Sequence, residues 1–117
     1  MLARELVAPG ALVALAYVHS TEGRPVRATF RIEADRTLRL IETTFPSVGP
    51  GLPPLGPAGT WAIEGGEIVA RGESAPVAEL RLRVVPLTRH RLVLPSGRAL
   101  ELVTLVGPGN AVRVAVE

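Results

Sequence analysis

The 117-residue chain contains no cysteine, no lysine and no glutamine, and its aromatic residues amount to one Trp, one Tyr and two Phe. Without cysteine no disulfide can form, so the chain suits reducing and oxidising compartments equally. Without lysine, all 13 basic residues are arginines, whose charge never titrates away at high pH. The sequence pI of 10.4 therefore overstates the basicity. At neutral pH the balance is 13 minus 11, or +2. So few aromatics leave no base-stacking surface, and together with the small net charge this argues against nucleic acid as a partner. Asn110 is the only asparagine. A chain so poor in thermolabile amides suits a GC-rich, thermophilic source, although the lack of lysine runs against the usual trend.

Long apolar runs are missing too. The most apolar stretch, Leu6 to Val18, is broken by Pro9-Gly10 and falls short of the roughly 18 residues a membrane helix needs. Met1 to Glu5 places no basic region before an unbroken apolar one, so no secretory signal is expected and the chain as given reads as soluble. Helices have little room, because 11 prolines and 12 glycines punctuate the sequence.

What remains is alternation. The longest stretch free of glycine and proline, Val26 to Phe45, places Val26, Ala28, Phe30 and Ile32 on one face and Arg27, Thr29, Arg31 and Glu33 on the other. A polar turn at Ala34-Asp35-Arg36 leads into Leu38 and Leu40, which alternate with Thr37 and Arg39. This is a hairpin pattern. Gly65-Gly66 joins Trp61-Ala62-Ile63 to Ile68-Val69-Ala70. Pro95-Ser96-Gly97 joins the run ending at Leu94 to the one beginning at Arg98. Gly107-Pro108-Gly109-Asn110 then joins that run to Val112–Val116. Leu12 to His19 and Glu79 to Val84 read as further strands. The expectation is one all-β domain over residues 1–117, an antiparallel β-sandwich or small β-barrel of eight to ten short strands.

Register sharpens the site question. Pairing 32 with 38, 30 with 40 and 28 with 42 keeps the apolar residues together, and it places Glu42 on the apolar face opposite Ala28. A carboxylate there needs donors or a cation, or its pKa rises. The opposite face sets Arg31 against Arg39, which repel unless acids or an anion lie between them. Around the later turn, Arg91 pairs with Glu101 outside, while His90 lies inside with Leu92 and Leu94.

Two polar segments interrupt this pattern, Tyr17–Val26 and Glu42–Pro53. They supply the expected ligand- or partner-binding residues: His19, Ser20, Glu22, Arg24, Glu42, Ser47, Gly49, Gly51 and Leu52. The sequence assigns no catalytic residue, metal or cofactor. His19 and Ser20 are adjacent, so within a strand they point to opposite faces and cannot act as base and nucleophile. No Gly-x-Ser-x-Gly elbow surrounds either serine. The run from Gly49 to Pro57 is no phosphate loop, since its prolines remove the backbone donors such a cradle needs. It reads as a rigid, pre-shaped rim.

The order Tyr17-x-His19-Ser20, Pro25-Val26, Glu42-Thr43-x-Phe45-x-Ser47-x-Gly49-x-Gly51-Leu52-Pro53, with His90-Arg91-Leu92 and Pro108-Gly109-x-Ala111-Val112 after it, resembles the prokaryotic domain-of-unknown-function family eighteen-fifty. The resemblance implies a domain associated with TAXI-type tripartite ATP-independent periplasmic (TRAP) transporters. It also implies an extracytoplasmic position, held by an N-terminal hydrophobic segment that this sequence does not show. The resulting expectation is a non-enzymatic accessory or binding domain. It would act through the His19–Pro25 turn and the Pro46–Gly59 loop on a TRAP permease or solute-binding protein, and would meet the membrane only through an anchor or that partner. A second reading is an organic-acid binder, with Glu42, His19 and nearby arginines lining a pocket at a barrel mouth. A third is a metal-dependent hydrolase built on His19, Glu22, Glu42 and His90. Edge strands in so small a sheet leave room for pairing between two copies of the chain.

Overall fold

The computed structural model describes residues 3–18, 25–46, 60–65, 67–85 and 89–117. Alternation of apolar and polar residues produces nine strands among these residues. They are β1 (Leu12–Val18), β2 (Pro25–Ile32), β3 (Leu38–Pro46), β4 (Thr60–Glu64), β5 (Glu67–Arg71), β6 (Glu79–Arg83), β7 (Arg91–Val93), β8 (Ala99–Glu101) and β9 (Ala111–Ala115). A five-residue helix, α1 (Leu102–Val106), separates the last two. The strands form a seven-stranded antiparallel sheet, ordered β4-β5-β3-β2-β1-β7-β8, and a two-stranded sheet of β6 and β9. The fold is all-β, as the alternation predicts. No helix among the described residues is long and apolar enough to cross a membrane.

The turns are made by the residues suited to them. Gly97 adopts φ 93°, and its N–H donates to the Leu94 carbonyl at 2.8 Å. That closes the β7–β8 hairpin with Arg91 opposite Glu101. In the β2–β3 turn, Asp35 accepts from the Thr37 N–H at 3.1 Å and its hydroxyl at 2.5 Å. This local bonding frees the neighbouring backbone to reverse.

One face of the large sheet meets β6 and β9. Val13, Ile32, Leu38, Val84, Leu92, Leu100, Leu102 and Val112 form the common core, with Leu38 and Val84 wholly buried. Residues 72–77 carry the chain between the sheets along the edge of β3: the Ser74 N–H donates to the Leu40 carbonyl at 3.2 Å, and Val77 and Leu38 exchange two 2.8 Å bonds.

Two sequence expectations need correction. The run after Arg98 does not remain extended, and β9 pairs with β6 rather than with β8. Leu102–Val106 coils into α1, burying Leu102 to 1% exposure, and the chain leaves it through Gly107 at φ 81°. Burying Leu102 outweighs the extended preference of Val103, Thr104 and Val106.

The second correction concerns Glu42. The β2–β3 ladder pairs Ile32 with Leu38, Arg31 with Arg39 and Phe30 with Leu40, then slips so that Thr29 faces Glu42 and Ala28 faces Thr43. Two residues of β3 are used against one of β2, which is a β-bulge with Ile41 as the extra residue. Every side chain beyond it changes face relative to strict pairing. Glu42 therefore lies on the outer, polar face with Thr29, not on the apolar face with Ala28.

Candidate functional site: an outer-face groove on three strands

Of the sequence-predicted site residues, only Glu42 belongs to the described part of the chain. His19, Ser20, Glu22, Arg24, Ser47, Gly49, Gly51 and Leu52 lie outside it. Their anchor points are nevertheless close together. The segment after Val18 returns at Pro25, which is paired with Val18. The segment after Pro46 leaves the same end of the neighbouring strand, where Arg27 faces Thr44.

Below those anchor points, the outer face of β1, β2 and β3 is hollowed into a groove of about 460 Å³. Small residues line its floor and leave the space above it open, among them Ala14, Thr29 and Thr44, and Ala14 is only 4% exposed. Arg27 and Glu42 contribute the charge. Leu12, Val93, Leu94 and Pro95 form an apolar rim, and Gly97 completes the wall at the β7–β8 turn. The cross-strand rows explain the arrangement. Ala16, Arg27 and Thr44 form one row, and Ala14, Thr29, Glu42 and Arg71 form the next.

The charges of this face divide sharply. Arg31 donates to Glu33 at 2.9 Å and to Glu73 at 2.5 Å, and Arg39 donates to Glu33 at 2.9 Å. The hydrogen bond from Arg31 comes first among the causes holding Glu33 below the usual carboxylate range, with Arg39 adding to it. The opposed arginines are thus compensated by acids between and beside them. Glu42 has Arg71 at 3.9 Å, a half-exposed pair worth at most about 1 kcal/mol. Arg27 makes no hydrogen bond or ion pair among the described residues. A guanidinium beside two threonine hydroxyls can bind a carboxylate in a bidentate fork, and Glu42 can accept from a donor on the same ligand.

His90 belongs elsewhere. Its ring stacks on Tyr17 with centroids 5.3 Å apart and planes 26° from parallel. Tyr17 shares the core-facing side of β1 with Val13 and Leu15. Burial lowers the imidazole's proton affinity. His90 and Glu42 therefore occupy opposite faces of the sheet and cannot share a metal ion. No group of three or more histidine, aspartate or glutamate side chains among the described residues could hold one.

A family model described as "Domain of unknown function (DUF1850)" matches residues 13–102. The chain belongs to this family. The matched segment runs from β1 to the first residue of α1, so it contains every wall of the outer-face groove except Leu12. No curated protein and no solved structure matches the chain significantly.

Thr29 and Thr44 are not among the residues the sequence singles out, and Arg27 enters there only as a polar position alternating with Val26 and Ala28. The signal that finds them is the Ile41 bulge. Once β3 slips by one residue, Thr44 and Glu42 join the face of Arg27 and Thr29. The groove opens on the outside of the sheet, not into a barrel interior.

Proposed function

We propose that this DUF1850 protein is a non-enzymatic binding domain accessory to a TAXI-type TRAP transporter, and that its outer-face groove holds a small organic acid. The observation that carries the ligand reading is that Arg27 makes no hydrogen bond or ion pair among the described residues. Its two neighbours on the same face, Arg31 and Arg39, are neutralised by Glu33 and Glu73. A site that compensates two arginines and leaves the third facing a groove is suited to a carboxylate. The groove's volume falls in the range that small ligands occupy, roughly 300–1,000 Å³. Glu42 at its far side accepts from a hydroxyl or amino group, which favours hydroxy acids over simple ones.

The transporter link rests on family resemblance, and with it go an extracytoplasmic position and a permease or solute-binding protein as partner. The His19–Pro25 and Pro46–Gly59 segments, anchored at one end of β1–β3, are the surface proposed to meet that partner.

Thermal unfolding in the presence of lactate, malate and succinate tests the ligand, since anything bound only by the native state raises Tm. A rise with malate that disappears in Arg27→Met is expected, and no shift with any of the three discards the organic-acid reading. Crosslinking in native membranes tests the partner separately, and recovery of no transporter component discards it.

A further inference from the structure

On the opposite side of the molecule, β9 presents an edge that pairs with no further strand among the described residues, beside a trough of mixed polar and apolar lining. The Val84 N–H donates to the Asn110 carbonyl at 2.8 Å, and the β6–β9 register continues from there as Leu82 with Val112 and Leu80 with Val114. In an antiparallel ladder the residues bonded to a given neighbour alternate. The backbone groups of Val112 and Val114 therefore point to β6, while those of Ala111, Arg113 and Ala115 point away. β9 has no second strand partner among the described residues.

The space beside that edge is large. A trough of about 990 Å³ is walled by every residue from Ala111 to Glu117 on one side and by the segment from Ala3 to Pro9 on another. The half-buried Leu94, Val106, Val114 and Val116 give it an apolar floor, backed by the buried core. The Ala3–Pro9 segment crosses the trough without pairing to β9. It is held by Glu5, which accepts from the Ser96 N–H at 2.9 Å and its hydroxyl at 2.5 Å, and by Arg4, 3.7 Å from Glu117. On the rim, Arg36 is exposed and makes no ion pair among the described residues.

We propose that β9 accepts an extended segment of a partner polypeptide, which adds a strand to the β6–β9 sheet. A row of outward N–H and C=O groups beside an apolar floor recognises an extended backbone with apolar side chains at alternate positions. The uncompensated Arg36 selects an acidic residue near one end of that segment. A second copy of this chain is a poorer occupant. Its own β9, Ala111–Ala115, carries Arg113 and no acid to meet Arg36. This surface is separate from the outer-face groove and stands whether or not that groove binds an acid.

Amide hydrogen exchange on the intact protein tests the proposal, with a blocked heptapeptide alternating valine with threonine and glutamate as the probe. In the free protein the amides of Ala111, Arg113 and Ala115 should exchange at least tenfold faster than those of Val112 and Val114. Millimolar peptide should slow the first set at least tenfold. The same peptide N-methylated at alternate residues, which removes its donors along one edge, should bind at least tenfold more weakly. Three results overturn the inference: outward amides already protected in dilute free protein, outward amides left fast at millimolar peptide, or equal binding of the N-methylated peptide, which would mean apolar adhesion without strand pairing. Protection that grows with protein concentration alone would assign the edge to a second copy and overturn it as well.

Discussion

Arg31 and Arg39 face each other across the β2–β3 ladder, and the carboxylate of Glu33 accepts from both, at 2.9 Å each. Like charges directly opposite in a sheet repel, so the shared acid is what makes this pairing tolerable. The same bonds hold Glu33 below its ordinary carboxylate value of 4.5. A group whose folded pKa is depressed contributes stability that is complete above the unfolded value and is lost as pH falls through the folded one. Glu33→Gln should therefore lower Tm at neutral pH, and its Tm should converge with that of the parent as pH drops below about 4.5. Paired melting curves between pH 7 and pH 3 check this, and a gap that persists undiminished at pH 3 would refute the assignment.

His90 gives a second window, higher in pH. Burial against Tyr17 lowers its proton affinity below the ordinary 6.5. The folded state then binds fewer protons than the unfolded state in this range. Stability is complete above pH 6.5 and declines as pH falls through the folded value. His90→Phe retains a ring on Tyr17 and removes the titration. Its Tm should change less between pH 7.5 and pH 5 than that of the parent; an identical slope would place the titrating group elsewhere.

The strands were readable because period-two alternation depends only on neighbouring residues. Phe30, Ile32, Leu38 and Leu40 declare their face whatever the rest of the chain does. The bulge was not readable, because Leu40-Ile41 presents two consecutive apolar residues and either could have been the one turned inward. Nor was α1: Leu-Val-Thr-Leu-Val has the composition of a strand, and only the tertiary demand to bury Leu102 bends it. The groove inherits the first difficulty. Its polar members on β2 and β3 all lie beyond the slip, so a register error of one residue disperses them over two faces.

The slip itself is testable by chemistry, because the chain has no cysteine of its own. Glu42→Cys should react with a thiol reagent in the native state far faster than Ile32→Cys, whose position is 3% exposed on the core face. Labelling rates below the denaturation midpoint measure the difference. Comparable protection of both cysteines would return Glu42 to the apolar face and remove the groove's acidic side.

Leu38 is the residue on which the two sheets converge. It is wholly buried, and its backbone is tied to Val77 by two 2.8 Å bonds. Leu38→Ala should cost about 2–5 kcal/mol from lost transfer energy and the cavity left behind. That corresponds to a fall in Tm of roughly 10 °C or more. Urea unfolding should show the loss in the midpoint with an unchanged m-value; a cost under about 1 kcal/mol would mean the sheets are not joined at this point.

Arg27 carries the functional reading, and its variants separate a built site from general charge attraction. Hydrogen bonds to a charged group contribute about 1.5–3 kcal/mol, so Arg27→Met should weaken malate binding by roughly 10- to 100-fold. Its Tm without ligand should shift little, because Arg27 makes no ion pair among the described residues and is exposed. Arg31→Met removes the same charge from the same face but should leave malate affinity within about threefold, since Arg31 is already occupied by Glu33 and Glu73. Thr29→Val and Thr44→Val should each lose a hydroxyl donor, about 0.5–1.5 kcal/mol, with no change in net charge. Isothermal titration of the four variants at two ionic strengths distinguishes the cases. Equal losses for Arg27→Met and Arg31→Met, erased by salt, would show that malate senses only the arginine-rich face, because a screened surface field falls off with ionic strength where a bidentate contact in a groove does not.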